Sequence, residues 1–233
     1  MVKDLIFNGT SSKDLGLVIT SSDMYTAPQM SYSSEKIAGR NGNLITTDGS
    51  FQNVEIKYTM MWRDNAESIT NQIRSWLMSA KGYKRLESDY QPDYYRMAMV
   101  SGSLDFDVTA NRSGSVEVEF NCKPQLFYKS GEVVTTITAD ATITNPSVFA
   151  SSPLIRVYGT GELGIGSETI TISKGATEYI DIDCDIQDCY EGSENRNGLV
   201  TLTDFPTLAS GDTGIKLGSG ITKVEITPRW WTV

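Results

Sequence analysis

Gly159-Thr160-Gly161-Glu162-Leu163-Gly164 has the glycine spacing of a dinucleotide-binding loop. There, small residues let the backbone approach a pyrophosphate held at a helix amino terminus. A strand over Leu154–Tyr158 precedes it, as the motif requires. The next residues, Ile165-Gly166-Ser167-Glu168-Thr169-Ile170-Thr171-Ile172-Ser173, alternate like a strand and offer no helix, so the glycines read as hairpin turns. A second candidate, Ile180-Asp181-Ile182-Asp183-Cys184-Asp185-Ile186, puts three carboxylates on one face of a strand. Clustered oxygen ligands suit calcium, and the run starts like an EF-hand loop. However, Ile186 stands where that loop needs glycine, and Gly192 where it needs the bidentate glutamate. The expectation is a solvated acidic face, with another calcium geometry as the alternative.

A glycoside hydrolase needs two carboxylates about 5–10 Å apart across a cleft, and the many acidic pairs here single out none. Trp230 and Trp231 suggest a sugar-stacking platform, yet neighbours on a strand face opposite ways. Burial at a terminal strand or a contact between copies is expected instead. Tyr90, Tyr94 and Tyr95 flank Pro92 and read as a loop entering a strand. No catalytic, cofactor-binding or metal-binding residue is assigned.

Histidine is absent from the 233 residues, which excludes Ser-His-Asp and Cys-His catalysis and His-ligated zinc. Cys122, Cys184 and Cys189 are an odd count and read as reduced thiols, although Cys184 and Cys189 are close enough in sequence to pair if oxidised. The opening MVKDLIFNGT lacks the pattern of a secretory signal, and no apolar run reaches the roughly 18–20 residues of a membrane span. A net charge of -9 disfavours tight binding to nucleic acid or an anionic bilayer, both of which reward clustered Lys and Arg.

The elements that would position any site are mostly short strands: Val54–Met61, Tyr95–Val100, Ser115–Phe120, Leu154–Tyr158, Thr169–Ile172 and Lys223–Thr227. Val116, Val118 and Phe120 alternate with Glu117 and Glu119, the pattern of a half-buried strand. NGN at 41–43, DGS at 48–50, SGS at 101–103 and GSG at 218–220 mark turns. One helix interrupts this pattern. Asp64 and Glu67 form a capping box, Ile69, Ile73, Trp76, Leu77 and Ala80 make one apolar face, and Gly82 ends it. A lone helix among strands should lie across a sheet, with Trp76 as its largest anchor. Charge and composition shift near Lys129–Gly131. Up to Tyr128 there are 13 basic and 15 acidic residues, and from Lys129 onward 7 and 14. Two domains are expected, 1–128 and 129–233.

Taken in order, these segments resemble the distal tail proteins, or Dit, of long, non-contractile-tailed phages and prophages. The resemblance rests on FNGTSSKDLGLVITSSDMYTAP, IAGRNGNLITTDGSFQNVEIKYTMMW and IRSWLMSAKGYKRLESDYQPDYYRMAMVSG, then on VEVEFNCKPQLFY with its Phe-x-Cys-x-Pro pattern. It continues through SSPLIRVYGTGELGI, EYIDIDCD and FPTLASGDTGIKLGSGITKVEITPRWWTV, with Thr213 where asparagine is more usual. It implies a mainly β chain of two β-sandwich domains. The first would be tail-tube-like, with one helix packed on a sheet, and the second galectin-like. It also implies a non-enzymatic structural protein of the virion tail, made in the bacterial host cytoplasm and needing no cofactor. This would be a hexameric hub joining tail tube to tail tip or baseplate. The implied partners are its own copies, the tail-tube protein, the tail-tip protein and receptor-binding proteins, with no membrane and no tight nucleic-acid binding even if DNA passes through the ring. A net of -2 in the proposed ring domain is compatible with that passage, because a basic lining would hold phosphate. The rival readings are a monomeric carbohydrate-binding β-sandwich for host adhesion and a tail hydrolase.

Overall fold

The computed structural model describes residues 3–233 except 64, 111, 174, 176 and 177. The chain divides into two compact units, Met1–Leu126 with Val233, and Phe127–Thr232.

The first unit contains β1 (Leu5–Phe7), β2 (Thr10–Ser11), β3 (Val18–Ser22), β4 (Ser33–Lys36), β5 (Asn43–Thr46) and β6 (Val54–Arg63). Then come α1 (Ala66–Met78), β7 (Lys84–Ser88), β8 (Tyr94–Val100), β9 (Asp105–Thr109) and β10 (Ser113–Tyr128), whose last residues run into the second unit. One sheet has the order β2-β1-β7-β8-β10-β6-β3, with β9 also beside β10, while β4 and β5 pair only with each other. The centre of that sheet follows from alternation. In β6, Val54, Ile56, Tyr58, Met60 and Trp62 are all buried. Antiparallel pairing from Ser113↔Arg63 to Cys122↔Val54 brings Val116, Val118, Phe120 and Cys122 of β10 to the same face. Phe120 meets Phe7 at 5.1 Å and Tyr58 edge-on at 5.9 Å, favoured geometries for aromatic rings.

Ala66, Thr70, Ile73, Trp76 and Leu77 form the buried stripe of α1, and Ile69 and Ala80 pack at its margin. Trp76 Nε1 donates to the Phe7 carbonyl at 3.0 Å, so the anchor buries its ring without stranding its polar atom. The expected capping box involves Asp64, which lies outside the described residues. Asn65 precedes the helix at φ 53° and makes no side-chain capping bond.

The second unit contains β11 (Thr135–Ile137), β12 (Ala141–Asn145), β13 (Leu154–Gly159), β14 (Gly161–Ile165), β15 (Glu168–Ile172) and β16 (Ile180–Asp183). It continues with β17 (Asp188–Glu191), β18 (Glu194–Asn195), β19 (Val200–Thr201), β20 (Gly211–Leu217) and β21 (Ile221–Thr227). They make two sheets, ordered β11-β21-β13-β16-β17-β18 and β12-β20-β14-β15-β19. Ile155, Val157, Ile180, Ile182, Val224 and Ile226 from the first sheet join Ile143, Leu163, Ile165, Ile170, Ile172 and Ile215 from the second in one core. This is the alternating inner-face pattern of a two-sheet sandwich. The chain is thus mainly β with one helix, as the sequence implies.

Candidate interaction surface

The part of the first unit least accounted for by its own core is the arm between β3 and β6. The β4–β5 ribbon pairs Ser33 with Thr46 through to Lys36 with Asn43, and Met30 bridges Phe51 at its base. The base is tied by Ser31 N–H to the Ser50 carbonyl (2.9 Å) and by the Thr47 hydroxyl to the Ser31 carbonyl (2.6 Å). Every residue from Ser33 to Ser50 is exposed, and so is Tyr32. The arm nevertheless carries Tyr25, Met30, Tyr32, Ile37, Leu44 and Ile45, with Tyr25 69%, Tyr32 57% and Ile45 56% exposed. A two-stranded ribbon with no face against a core is marginal in water, and grouped exposed apolar side chains mark an interaction surface.

A second open surface lies at the edge of the main sheet. In the sheet order β3 pairs only with β6, and its register shifts between Ile19 and Ser21. Gly16, Val18, Thr20, Met61, Trp62, Arg63 and Ser113 line a shallow groove beside it, with Val18 and Met61 exposed. Trp62 Nε1 is buried there without a hydrogen-bond partner among the described residues. An edge strand beside an apolar groove can accept an added strand, backbone bonds supplying affinity and the groove taking side chains.

The sequence candidates fall elsewhere. Strand β14, not a helix, begins at Gly161. A Cβ on Gly159 (φ +101°) would meet the Gly220 carbonyl oxygen at 2.2 Å, and one on Gly161 (φ +131°) the Ser219 carbonyl oxygen at 2.4 Å. These glycines let two backbone segments cross in contact.

The acidic run is the clearest correction. All four residues of β16 are buried, so Asp181 and Asp183 do not form a solvated face. Arg156 donates to both Asp181 oxygens at 2.7 and 2.8 Å, and Arg229 to both Asp183 oxygens at 2.6 and 2.9 Å. Each forked pair neutralises its carboxylate, which removes the charge that would draw a cation there. Burial is the largest single influence and pushes the Asp183 carboxyl up, but the Arg229 hydrogen bonds and charge, together with the Asp185 and Ile186 backbone N–H groups, hold it below the usual carboxylate range. Among the described residues no group of three or more Cys, Asp or Glu is placed to hold a metal ion.

Trp230 is buried in the second core, while Trp231 stacks on Phe149 at 4.6 Å and donates to the Ala150 carbonyl. Neither is an open platform. Tyr90 lies in the turn before β8, and Tyr94 and Tyr95 begin that strand. All three cysteines are buried and unpaired. No described helix is long and apolar enough to cross a membrane.

Sequence reasoning misses the arm's isolation, although the turns at 41–43 and 48–50 point to a hairpin. A usable signal is the lack of sustained apolar alternation between Tyr32 and Ser50, which leaves no face to bury.

Comparison with known proteins adds three similarities. Residues 10–122 match the family model of the phage tail protein RIFT-related domain. The whole chain superposes on the Dit protein of phage SPP1, described as a paradigm of the hub adsorption apparatus in phages infecting Gram-positive bacteria. The TM-score is 0.79 at 14% identity, covering 100% of both chains. A chain of the phage P2 baseplate, in its activated conformation with Ca, aligns with TM-score 0.53 and 11% identity over 97% of this chain and 98% of that one. No curated protein sequence matches.

Proposed function

From the match of residues 10–122 to the family model of the phage tail protein RIFT-related domain, we propose that this chain is a non-catalytic hub subunit of a siphophage tail. Six copies close a ring at the distal end of the tail, which joins the tail tube to the tip or baseplate. Residues 1–128 form the ring, and 129–233 form an outward-facing sandwich of galectin-like type. The proposed partners are other copies, the tail-tube protein and the tip protein.

The observation that carries this reading is the arm. A ring needs head-to-tail contacts, in which two different patches of each subunit meet. The first unit offers two unlike surfaces, the bare ribbon with Tyr32 and Ile45, and the β3 edge with its groove. The ribbon of one copy laid on the edge of the next would cover exposed apolar side chains and supply partners to unpaired strand groups.

Light scattering over a wide concentration range, with and without the purified tail-tube protein, tests it. The expected mass is six times the 25.6 kDa subunit, and Ile45→Asp should reduce it to one. A wild-type chain that stays monomeric both alone and with the tube would overturn the proposal. A hexamer indifferent to Ile45→Asp would remove the arm from it.

A further inference from the structure

Asparagine followed by glycine is the step at which a peptide chain deamidates most readily, because glycine has no side chain to shield its nitrogen and its backbone rotates freely. The chain contains three such steps, Asn8-Gly9, Asn41-Gly42 and Asn197-Gly198. Reaction needs the glycine nitrogen to swing onto the asparagine Cγ, so the fold around each step decides which of them reacts.

Two of the three are held. Asn8-Gly9 is the two-residue turn between Phe7 and Thr10, which pair across β1 and β2. Asn8 sits at φ 51° and Gly9 at φ 82°, the left-handed pair that a tight hairpin turn requires. The Asn8 N–H donates to the Arg85 carbonyl at 3.0 Å, and the neighbouring Phe7 is fully buried. Turning Asn8 so that Gly9 meets its amide would undo that pairing. At Asn197 the side-chain amide is tied at both ends. Its Oδ1 accepts the Cys189 N–H and its Nδ2 donates to Asp188 Oδ1, each at 2.7 Å.

Asn41-Gly42 has neither restraint. It lies in the loop 37–42 that joins β4 to β5, beyond their last paired residues, Lys36 and Asn43. Every residue of that loop is exposed, and its backbone bond from Arg40 N–H to the Ile37 carbonyl stops short of Asn41. Among the described residues neither the Asn41 side chain nor the Gly42 N–H has a hydrogen-bond partner. A ribbon that rests on no core also opens at little cost, which gives Gly42 the freedom the reaction requires.

We infer that Asn41 is a site of spontaneous deamidation, through which the tip of the arm acquires a carboxylate without an enzyme. The Gly42 nitrogen, giving its proton to solvent, forms a bond to Asn41 Cγ as the Cγ–Nδ2 bond breaks and ammonia leaves. Water then opens the resulting succinimide at either carbonyl, to aspartate or to isoaspartate. The arm gains a negative charge next to Arg40, and in the isoaspartate form its backbone gains a carbon. The inference stands on local geometry and does not depend on the hub reading.

In the test, the full-length wild type and Ile45→Asp are incubated at pH 8 in heavy-oxygen water and digested with trypsin in ordinary water. Only conversions in the intact chain then carry the label. The three steps fall on separate peptides, Asp4–Lys13, Asn41–Lys57 and Asn197–Lys216. Label should accumulate at Asn41 about tenfold or more faster than at Asn8 or Asn197, where a turn or a bonded amide must open first. If copies of the chain cover the arm, Asn41 should take up label in Ile45→Asp and be spared in the wild type, which supports the site and the assembly together. Asn41→Gln should abolish the slow gain of acidic charge on isoelectric focusing. Label at Asn8 or Asn197 that matches Asn41, no label at Asn41 in either chain, or an acidic gain undiminished in Asn41→Gln would overturn the inference.

Discussion

In the second unit Arg156 and Arg229 each reach an aspartate of β16 through two hydrogen bonds, whereas in the first unit the Arg96 guanidinium reaches no carboxylate among the described residues. The same division appears in the strands. β16 lies between β13 and β17 with all four residues covered, while β4 and β5 pair only with each other and expose every residue. The second unit pairs the two buried carboxylates of β16 internally, while the first leaves a buried guanidinium nitrogen and an exposed ribbon without partners among the described residues. That contrast is what a hub should have if one part of the subunit assembles and the other folds for itself. It also makes separate demands of the two units, which can be broken one at a time.

The largest effect on stability should come from breaking a finished pair. Asp183→Ala would leave the half-buried Arg229 guanidinium facing the space its carboxylate occupied. The loss should be roughly 1.5–3 kcal/mol, the range for hydrogen bonds to charged groups. It would be read as a lower denaturant midpoint at unchanged slope. A midpoint within error of wild type would mean that the pair is as solvated as a surface bridge, and the contrast between the units would lose its energetic content.

Acid should find the same pair. The Asp183 carboxyl is held below its ordinary value by Arg229 against the opposing push of burial. Asp4 in the first unit is held low by the Ser11 and Ser12 hydroxyls and the Lys13 N–H, again against burial. A depressed folded-state pKa gives stability that is fully present above the unfolded value of about 3.9 and is lost as pH falls through the folded one. Melting temperature should therefore be level from pH 7 to 5 and fall below about pH 4. Asp183→Asn should flatten part of that fall, and an unchanged acid limb would assign the loss to other carboxylates.

The thiols test burial in both units at once. Burial pushes Cys122 and Cys184 up to about 12 and Cys189 up to about 11. The thiolate is the reactive form, so the native chain should not react with Ellman's reagent at pH 8, while the unfolded chain should show three thiols. A raised folded-state pKa gives stability that is present below the unfolded value of about 8.5 and is lost as pH rises through the folded one. Stability should accordingly decline from about pH 9 upward. Rapid native labelling at Cys184 or Cys189 would show that the second sandwich opens locally near the β16–β17 turn.

How much of the molecule is legible in its sequence divides along the same line between local and non-local causes. Alternation gives β6 and β10, and three- and four-residue spacing gives α1 with Trp76 inward, because periodicity is a local consequence of burying one face. The failed dinucleotide motif is legible for the same reason, since strand alternation resumes at once after Gly164. The fate of the acidic run is not. Asp181 and Asp183 are buried because Arg156, 25 residues away, and Arg229, 46 residues away, reach them. Nothing near the aspartates announces those partners. Arg96 is the reverse case. It sits in a strand whose alternation is plain, but the missing partner of its Nη1 among the described residues is a property of the assembled core.

The smallest stability effect should come from the largest exposed feature. Tyr32→Ser and Ile45→Ser remove side chains that are more than half exposed and rest on no core. Surface changes of this kind usually stay within about 0.5 kcal/mol, so the unfolding midpoint of the dissociated chain should not move. The same variants should shift the assembly curve to higher protein concentration, because the apolar area they lose is covered only when copies meet. A fall in intrinsic stability as large as that expected for Asp183→Ala would show that the arm packs on its own subunit in solution. The first unit would then be as self-contained as the second, and the proposed ring would have to be built from the β3 edge alone.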